Sequence, residues 1–295
     1  MPTPTQYSAG KFALEIEGSA VGFISSARGG AAFAQVVSTP DPSGVIDKRP
    51  GEVEYEPIVL EVDTSLEAAF YDRIAAFLSG SQKRMSGVIG FLDQDLAERS
   101  RLEWSDGLIT EVTFPAADAG SKDPAHLGVT IQPESTRRRA GSGKTAPGGI
   151  SLKRKRWLAS SFRFSISGLE AATRRVDRVE SLVLRRPAKD DPGAPVAGLL
   201  EVPNVVFTVA ASEQTPFDDW FEDFIVKGNA SADQERSGAL VFLDQSLKAE
   251  LIGVAMRGLG ILRVSAHQGA PGIEAIARVK VELYCEEIEL SPAPG

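Results

Sequence analysis

Gly87-Val-Ile-Gly-Phe-Leu-Asp-Gln-Asp-Leu96 returns about 150 residues later as Gly238-Ala-Leu-Val-Phe-Leu-Asp-Gln-Ser-Leu247, with the tetrapeptide Phe-Leu-Asp-Gln intact. Self-similarity at one long period decides the architecture before any local element does. The flanks repeat at the same spacing. Phe12-Ala-Leu-Glu-Ile-Glu-Gly18 corresponds to Phe162-Arg-Phe-Ser-Ile-Ser-Gly168. Both stretches alternate apolar and polar residues. That period of two puts Phe12, Leu14 and Ile16, and likewise Phe162, Phe164 and Ile166, on one buried face of a strand ending at glycine.

The order of elements repeats too. Pro57-Ile-Val-Leu-Glu-Val62 aligns with Val205-Val-Phe-Thr-Val209, β-branched runs followed at once by helix-start signals. In the first copy Thr64-Ser-Leu-Glu67 has the spacing of a capping box, and Leu66, Phe70, Ile74 and Leu78 recur at helical spacing before Gly80. In the second, Thr215 is the expected cap, Pro216 takes the first helical position, and Phe217, Trp220, Phe221 and Phe224 form the apolar stripe before Gly228. Gly107-Leu108 then matches Gly258-Leu259, each ahead of a strand, Ile109 to Phe114 or Ile261 to Ala266. Val129-Thr-Ile-Gln132 and Val279-Lys-Val-Glu-Leu283 close the copies; the second alternates so cleanly that one face is buried and the other wet. The fold class read from this order is mainly β with one helix per repeat (α+β), in two tandem units.

The boundaries expected are 1–136 for the first unit, 137–156 for a basic, glycine-rich linker and 157–295 for the second unit. The stretch from Glu134 to Trp157 is rich in glycine and cations and lacks periodicity, which reads as a solvated interdomain loop. Its basic run also suits an acidic partner or nucleic acid. Ser38 to Pro50 reads as another long loop.

Composition is compatible with this picture. A chain of 295 residues fits two units that each bury a sizeable core. Hydrophobic residues make up 42% and charged residues 24%, the proportions of a packed globular protein. No apolar run approaches a spanning helix, and the start MPTPTQYSAGK lacks the basic and apolar regions of a secretory signal, so assembly in the cytoplasm is expected. The net charge of -8, with a pI near 5.0, argues against a globally basic nucleic-acid binder. Cys285 is the single cysteine, which excludes an intramolecular disulfide and reads as a small buried hydrophobe.

The motif order resembles the tail-tube family of contractile phages and of related injection systems. The family's opening Phe-x-Val-x-Ile-x-Gly strand corresponds to Phe12 to Gly18 of the first copy, followed by Pro50-Gly51 and Tyr55-Glu-Pro-Ile-Val-Leu60. Next come the short helix Leu66 to Leu78, the Gly87 to Asp93 strand, Trp104 and Phe114-Pro115; in the second copy a Val- and Glu-rich closing strand runs from Val279 to Leu290. The second copy departs from the pattern: it lacks the Pro-Gly and Tyr signature and has Met256 near the tryptophan position.

The resemblance implies a small β-barrel or sandwich with one helix, present twice, in rings stacked around an axial channel. Two such folds in one chain complete a six-fold ring as a trimer, the symmetry-matching arrangement of a baseplate hub or tube-initiating ring, with tube, spike and other baseplate proteins as partners. A hexamer of double-height subunits is the alternative, and nucleic acid enters only as possible channel cargo. No catalytic, cofactor-binding or metal-binding residue is expected. His126 and His267 stand alone, Asp93 and Asp244 read as turn-capping carboxylates, and Ala140-Gly-Ser-Gly-Lys-Thr145 lacks the upstream glycine of a phosphate loop. Trp157, Trp220 and Phe221 read as core rather than a base-stacking surface, and Glu15 and Glu17 are candidate channel-lining acids. A two-domain sandwich that binds carbohydrate or cargo, and a hydrolase with a site between the halves, are the competing classes; neither has its expected aromatic pocket or convergent nucleophile in the sequence.

Overall fold

The strand after the Phe-Leu-Asp-Gln turn is the longest in each half, and everything else is hung from it. The computed structural model describes residues 11–40, 44, 46–144, 157–189, 196–267 and 277–291. The first half contains β1 (Lys11–Ile16), β2 (Ser19–Ile24), β3 (Ser26–Gly29), β4 (Ala32–Pro40), β5 (Ile46–Tyr55) and β6 (Ile58–Val62). Helix α1 (Ala68–Ser79), β7 (Met85–Leu92), β8 (Glu98–Phe114), β9 (Ala117–Asp118), β10 (Leu127–Gln132) and β11 (Ser135–Ala140) follow. The second half has β12 (Phe162–Ile166), a one-turn α2 (Glu170–Thr173), β13 (Val176–Val179), β14 (Leu182–Arg185), β15 (Ala188–Lys189) and β16 (Val196–Ala197). It ends with β17 (Val205–Ala210), α3 (Thr215–Phe221), β18 (Arg236–Leu243), β19 (Glu250–His267) and β20 (Arg278–Ser291).

Two large antiparallel sheets result, one ordered β2-β1-β7-β8-β10-β6-β3 and the other β12-β18-β19-β20-β17-β13-β9. From the opening strand onward they run in one order, β1-β7-β8-β10-β6-β3 against β12-β18-β19-β20-β17-β13. Register agrees as well. Phe12 lies opposite Phe91 and Ile16 opposite Gly87; Phe162 lies opposite Phe242 and Ile166 opposite Gly238. Gly87 faces Trp104, and Gly238 faces Met256, so the methionine occupies the tryptophan's place.

The alternation read in the opening strands is realised: Leu14, Ile16, Phe164 and Ile166 are buried, with Phe12 and Phe162 partly so. One continuous core joins the halves, with Phe207 between Phe164, tilted against it at 5.0 Å, and Phe217, edge-on at 5.5 Å. Full burial of such a side chain contributes about 1.5–3 kcal/mol, so the aromatic column is a main source of stability in the second half.

Several expectations need correction. The strands expected at Ile109–Phe114 and Ile261–Ala266 are not separate elements but the ends of longer ones, β8, which also carries Trp104, and β19. Both bend where Asp106 (φ 50°) and Gly258 (φ 61°) take left-handed backbone, a conformation that Asp and Gly reach at low cost. The bend lets β8 pair with β7 and β11 before it and with β10 and β14 after it. Ser38 to Pro50 is not an irregular loop; its described residues other than Gly44 belong to a two-stranded arm, β4 with β5. Both faces of the arm are exposed, so no alternation betrays it.

The expected linker 137–156 begins too early, because Arg137–Ala140 belong to β11 and pair with Glu103 to Ser100; residues 145–156 lie outside the described residues. The capping box at Thr64–Glu67 does not form. Glu67 is the helix-preceding residue and caps nothing, while the Asp63 carboxylate accepts from the Ser65 amide at 2.9 Å and fixes the entry turn. Thr215 is the first helical residue of α3 rather than its cap, because a 3-10 turn at Ala211–Glu213 already leads in. The second half also departs from one helix per repeat: α2 stands in sequence where β2 stands in the first half.

Candidate assembly interface

The halves are joined by exchanged strands. After β13 the chain crosses over and adds β14 to the first sheet, Leu182 opposite Phe114 and Arg185 opposite Glu111. In return β9 adds to β13, Ala117 opposite Val179. Arg185 pairs with Glu111 at 2.8 Å and Arg178 with Asp118 at 2.9 Å. These pairs are half exposed and worth little each. Burial of Leu182, Leu184 and Ala117 with the backbone ladders therefore dominates the seam.

Helix α1 completes the seam by packing toward β20. Its Asp72, Ala75, Ala76, Leu78 and Ser79 face Glu286–Leu290 across a groove of about 730 Å³. The two alanines keep that helix face low. The helix ends at Gly80, whose φ of 77° is a left-handed termination. Arg186 from the second half reaches this end: Nε donates to Phe77 O at 3.0 Å, Nη2 to Leu78 O at 3.0 Å and Nη1 to Gly198 O at 2.7 Å. The residue is 8% exposed, and burial lowers its pKa from the ordinary value. A guanidinium remains charged nonetheless, so a cation sits against the negative end of the helix dipole. Sequence reasoning missed this contact, since Arg185-Arg186-Pro187 carries no local sign of it.

The residues singled out from the sequence take the following places. Asp93 accepts from the amides of Asp95 and Ala97, both at 2.9 Å, and binds Arg99; Asp244 accepts from Ser246 Oγ at 2.8 Å and from the amides of Lys248 and Ala249 at 3.0 and 3.1 Å. These contacts hold both carboxyls below the usual carboxylate range; the Ala97 amide leads for Asp93 and the Ser246 hydroxyl for Asp244. Each turn also carries a leucine with positive φ, Leu96 or Leu247. Both aspartates organise turns, as expected.

Trp157 is 2% exposed and packs edge-on against Phe242 at 5.0 Å; Trp220 is buried against Phe224. Phe221 is half-buried against the core. Gly141 to Lys144 hydrogen-bond back to Glu98 and Arg99, in sheet-like fashion. Thr145 lies outside the described residues, as does the His267 side chain. His126 borders an open cleft of about 510 Å³ shared by the halves. Cys285 is buried, with Sγ 3.2 Å from Glu287 O, and burial pushes the thiol up to about 11. Glu17 is tied into a turn, its carboxylate accepting from the Ser86 amide at 2.7 Å, and Glu15 is half-buried on β1. Among the described residues no group of three potential metal ligands converges.

Two stretches of surface are left uncovered. The arm leaves Phe33 (43%), Val36 (66%), Val37 (52%), Ile46 (60%) and Val53 (61%) exposed, an apolar load of the kind that marks an interaction site. β11, with exposed Arg137, Arg138 and Arg139, pairs only with β8 among the described strands, leaving a strand edge open.

No protein-family model matches the sequence, and no curated protein matches it. Among solved structures, the chain is similar to the tube-terminating cap of the anti-feeding prophage, at 19% identity with a TM-score of 0.40, covering 48% of this chain and 94% of that one. It is similar to a chain of the sheath-tube complex of an extracellular contractile injection system, at 18% identity and TM-score 0.40, covering 47% and 92%. It is also similar to Hcp1 of Flavobacterium johnsoniae, at 16% identity and TM-score 0.28, covering 44% and 96%.

Proposed function

We propose that the chain is a structural ring component of a contractile phage tail or phage-tail-like injection system, built from two tandem copies of one unit. One observation carries the reading: the two halves pair their strands in the same order and register, and join through exchanged strands. A duplicated unit that already meets its copy edge to edge is half-way to a ring, since repeating one such contact generates a closed assembly when the rotation closes. The tail-tube resemblance of the motif order gives the assembly its class. The units span 1–136 and 157–295, with the first extended through β11 to Ala140.

A trimer with pseudo-sixfold symmetry around an axial channel is the favoured state, in a baseplate hub or tube-initiating position. The halves differ where such an adaptor needs two faces: β2 against α2, and the long exposed arm of β4 and β5 against the shorter described pair β15 and β16. The function is mechanical, with tube, spike and baseplate proteins as partners. The repeated tube subunit, in hexameric rings, is the other form of the same reading. Negative-stain images of the purified chain, alone and mixed with tube subunits, test the proposal: annular particles are expected, and isolated monomers in both samples would refute it.

A further inference from the structure

We propose that copies of this chain join head to tail by repeating, between the second half of one copy and the first half of the next, the contact that the halves make within one chain. The inference rests on the ring reading above and specifies its interface, including the charged groups that set its polarity.

The internal contact supplies the template, and register translates it. Trp104 pairs with Thr136 on β11, and its counterpart Met256 pairs with Ile288 on β20. The β20 segment that receives α1, Glu286–Leu290, therefore corresponds to Glu134, Ser135, Thr136, Arg137 and Arg138. On the helix side, buried Phe70 and Phe77 of α1 match buried Phe217 and Phe224. The groove-facing residues Asp72, Ala75 and Ala76 then correspond to Asp219, Glu222 and Asp223, the last two in the π-helical turn Glu222–Val226 that continues α3. That turn has one residue more between Phe224 and Gly228 than α1 has between Phe77 and Gly80, so the apolar Leu78 falls at Ile225 and Val226.

Those positions have the character of an unfilled contact. Asp219 and Glu222 are exposed acids, and Ile225 and Val226 are exposed apolar side chains, 42% and 61% open. The strand they would meet is basic and has an open edge. The helix surface and the strand are thus opposite in charge, an arrangement that steers encounter and suppresses wrong pairings. Within the chain the equivalent surfaces are both acidic, Asp72 against Glu286, Glu287 and Glu289; there, the covalent link and Arg186 hold the contact without charge attraction.

A second observation lies on the same seam. Ala27 pairs with Leu60 and Val179 with the matching Phe207, so the chain after β3 stands where β14 stands after β13. β14 fills the edge of β8 opposite Glu111 to Phe114. The matching stretch of β19, Arg263 to Ala266, pairs with β20 on one side, while the described partners on the other side end at Leu259. Leu262 there is 40% exposed. The apolar arm of the next copy is placed to cover that edge, by the same rotation that seats α3 on β11.

The test uses the full chain and four single changes combined in sets. Asp219→Arg with Glu222→Arg reverses the helix, and Arg137→Glu with Arg138→Glu reverses the strand. Arg139 is left intact because it pairs with Glu103 at 2.9 Å. Analytical ultracentrifugation over a concentration series reads assembly, and thermal melting of each variant reads folding. Each double variant is expected to assemble about tenfold more weakly than the unmodified chain, and the quadruple variant to regain assembly. Oligomers that form equally in all variants would overturn this interface and leave the ring reading intact, as would loss in both doubles with no recovery in the quadruple. An unmodified chain that stays monomeric at every concentration would overturn both. A double variant that fails to melt cooperatively is replaced by Glu222→Gln with Arg137→Gln, for which weaker assembly with unchanged melting is expected.

Discussion

Replacing Arg186 with methionine removes a charged group that ties the end of α1 to the second half. The side chain makes three hydrogen bonds to main-chain carbonyls at 2.7–3.0 Å and lies over the Phe77 ring at 5.9 Å. Hydrogen bonds to a charged group contribute about 1.5–3 kcal/mol each, which sets a gross loss of about 4.5–9 kcal/mol. Methionine keeps much of the apolar stem packing, and the carbonyls at the helix end regain some water, because the neighbouring groove is open. A net loss of about 3 kcal/mol is the result. Arg186→Lys keeps the charge at the helix terminus without the forked donors, and loses about half as much. Equilibrium unfolding in urea measures both: the midpoint falls in the order wild type, Lys, Met, with unchanged slope if the halves still unfold together. A methionine variant within about 0.5 kcal/mol of wild type would refute the argument that this arginine holds the seam.

Other outcomes follow from single positions. A Cβ on Gly87 would lie 2.2 Å from the Trp104 ring and 2.5 Å from Glu15 O, whereas one on Gly238 meets its nearest atom at 2.8 Å; Gly87→Ala is expected to lose about 3 kcal/mol and Gly238→Ala about 1 kcal/mol, read from denaturation midpoints. Gly80→Ala places a side chain at φ 77° and 3.3 Å from Arg186, costing about 1–2 kcal/mol, and combined with Arg186→Met it should cost less than the sum. The Cys285 thiol has its pKa raised from 9.0 to about 11 by burial. A raised folded-state value means its contribution is full below pH 9.0 and is lost as pH climbs to about 11, so the stability of wild type should fall through that window more steeply than that of Cys285→Ala. Asp93 and Asp244 have lowered values, so their turns weaken as pH falls through and below the usual carboxylate range; an acid unfolding profile unchanged in the Asp93→Asn, Asp244→Asn variant would contradict that.

The strand order that the two halves share was legible because its signals are local. The Phe-Leu-Asp-Gln turn needs an aspartate to gather two or more donors and a following residue in left-handed backbone, and both copies carry that chemistry in a short stretch. Alternation in Phe162–Ile166 survives because Arg163 and Ser165 sit on its wetter face; in Phe12–Ile16 the second face is half covered, with Ala13 buried against Phe23 and Leu92 and Glu15 partly exposed, and the small alanine still leaves the alternation readable. The seam was not legible. β14 and β9 are short strands that pair across more than 50 residues, and nothing in Leu182–Arg185 names its partner. The arm hid because both of its faces are exposed, and β11 hid because its arginines read as solvated linker when only its pairing with Ser100–Ser105 makes it a strand. Arg186 acts through contacts with residues about 108 positions away, beyond any periodicity.

Native mass spectrometry of the assembled protein tests the central claim most directly, because stoichiometry separates the readings without an imaging model. A closed trimer of the 31.4 kDa chain, dissociating as salt rises because its proposed interface pairs Asp219 and Glu222 with Arg137 and Arg138, is the predicted result. A monomer that persists at high concentration and in the presence of tube subunits would contradict it.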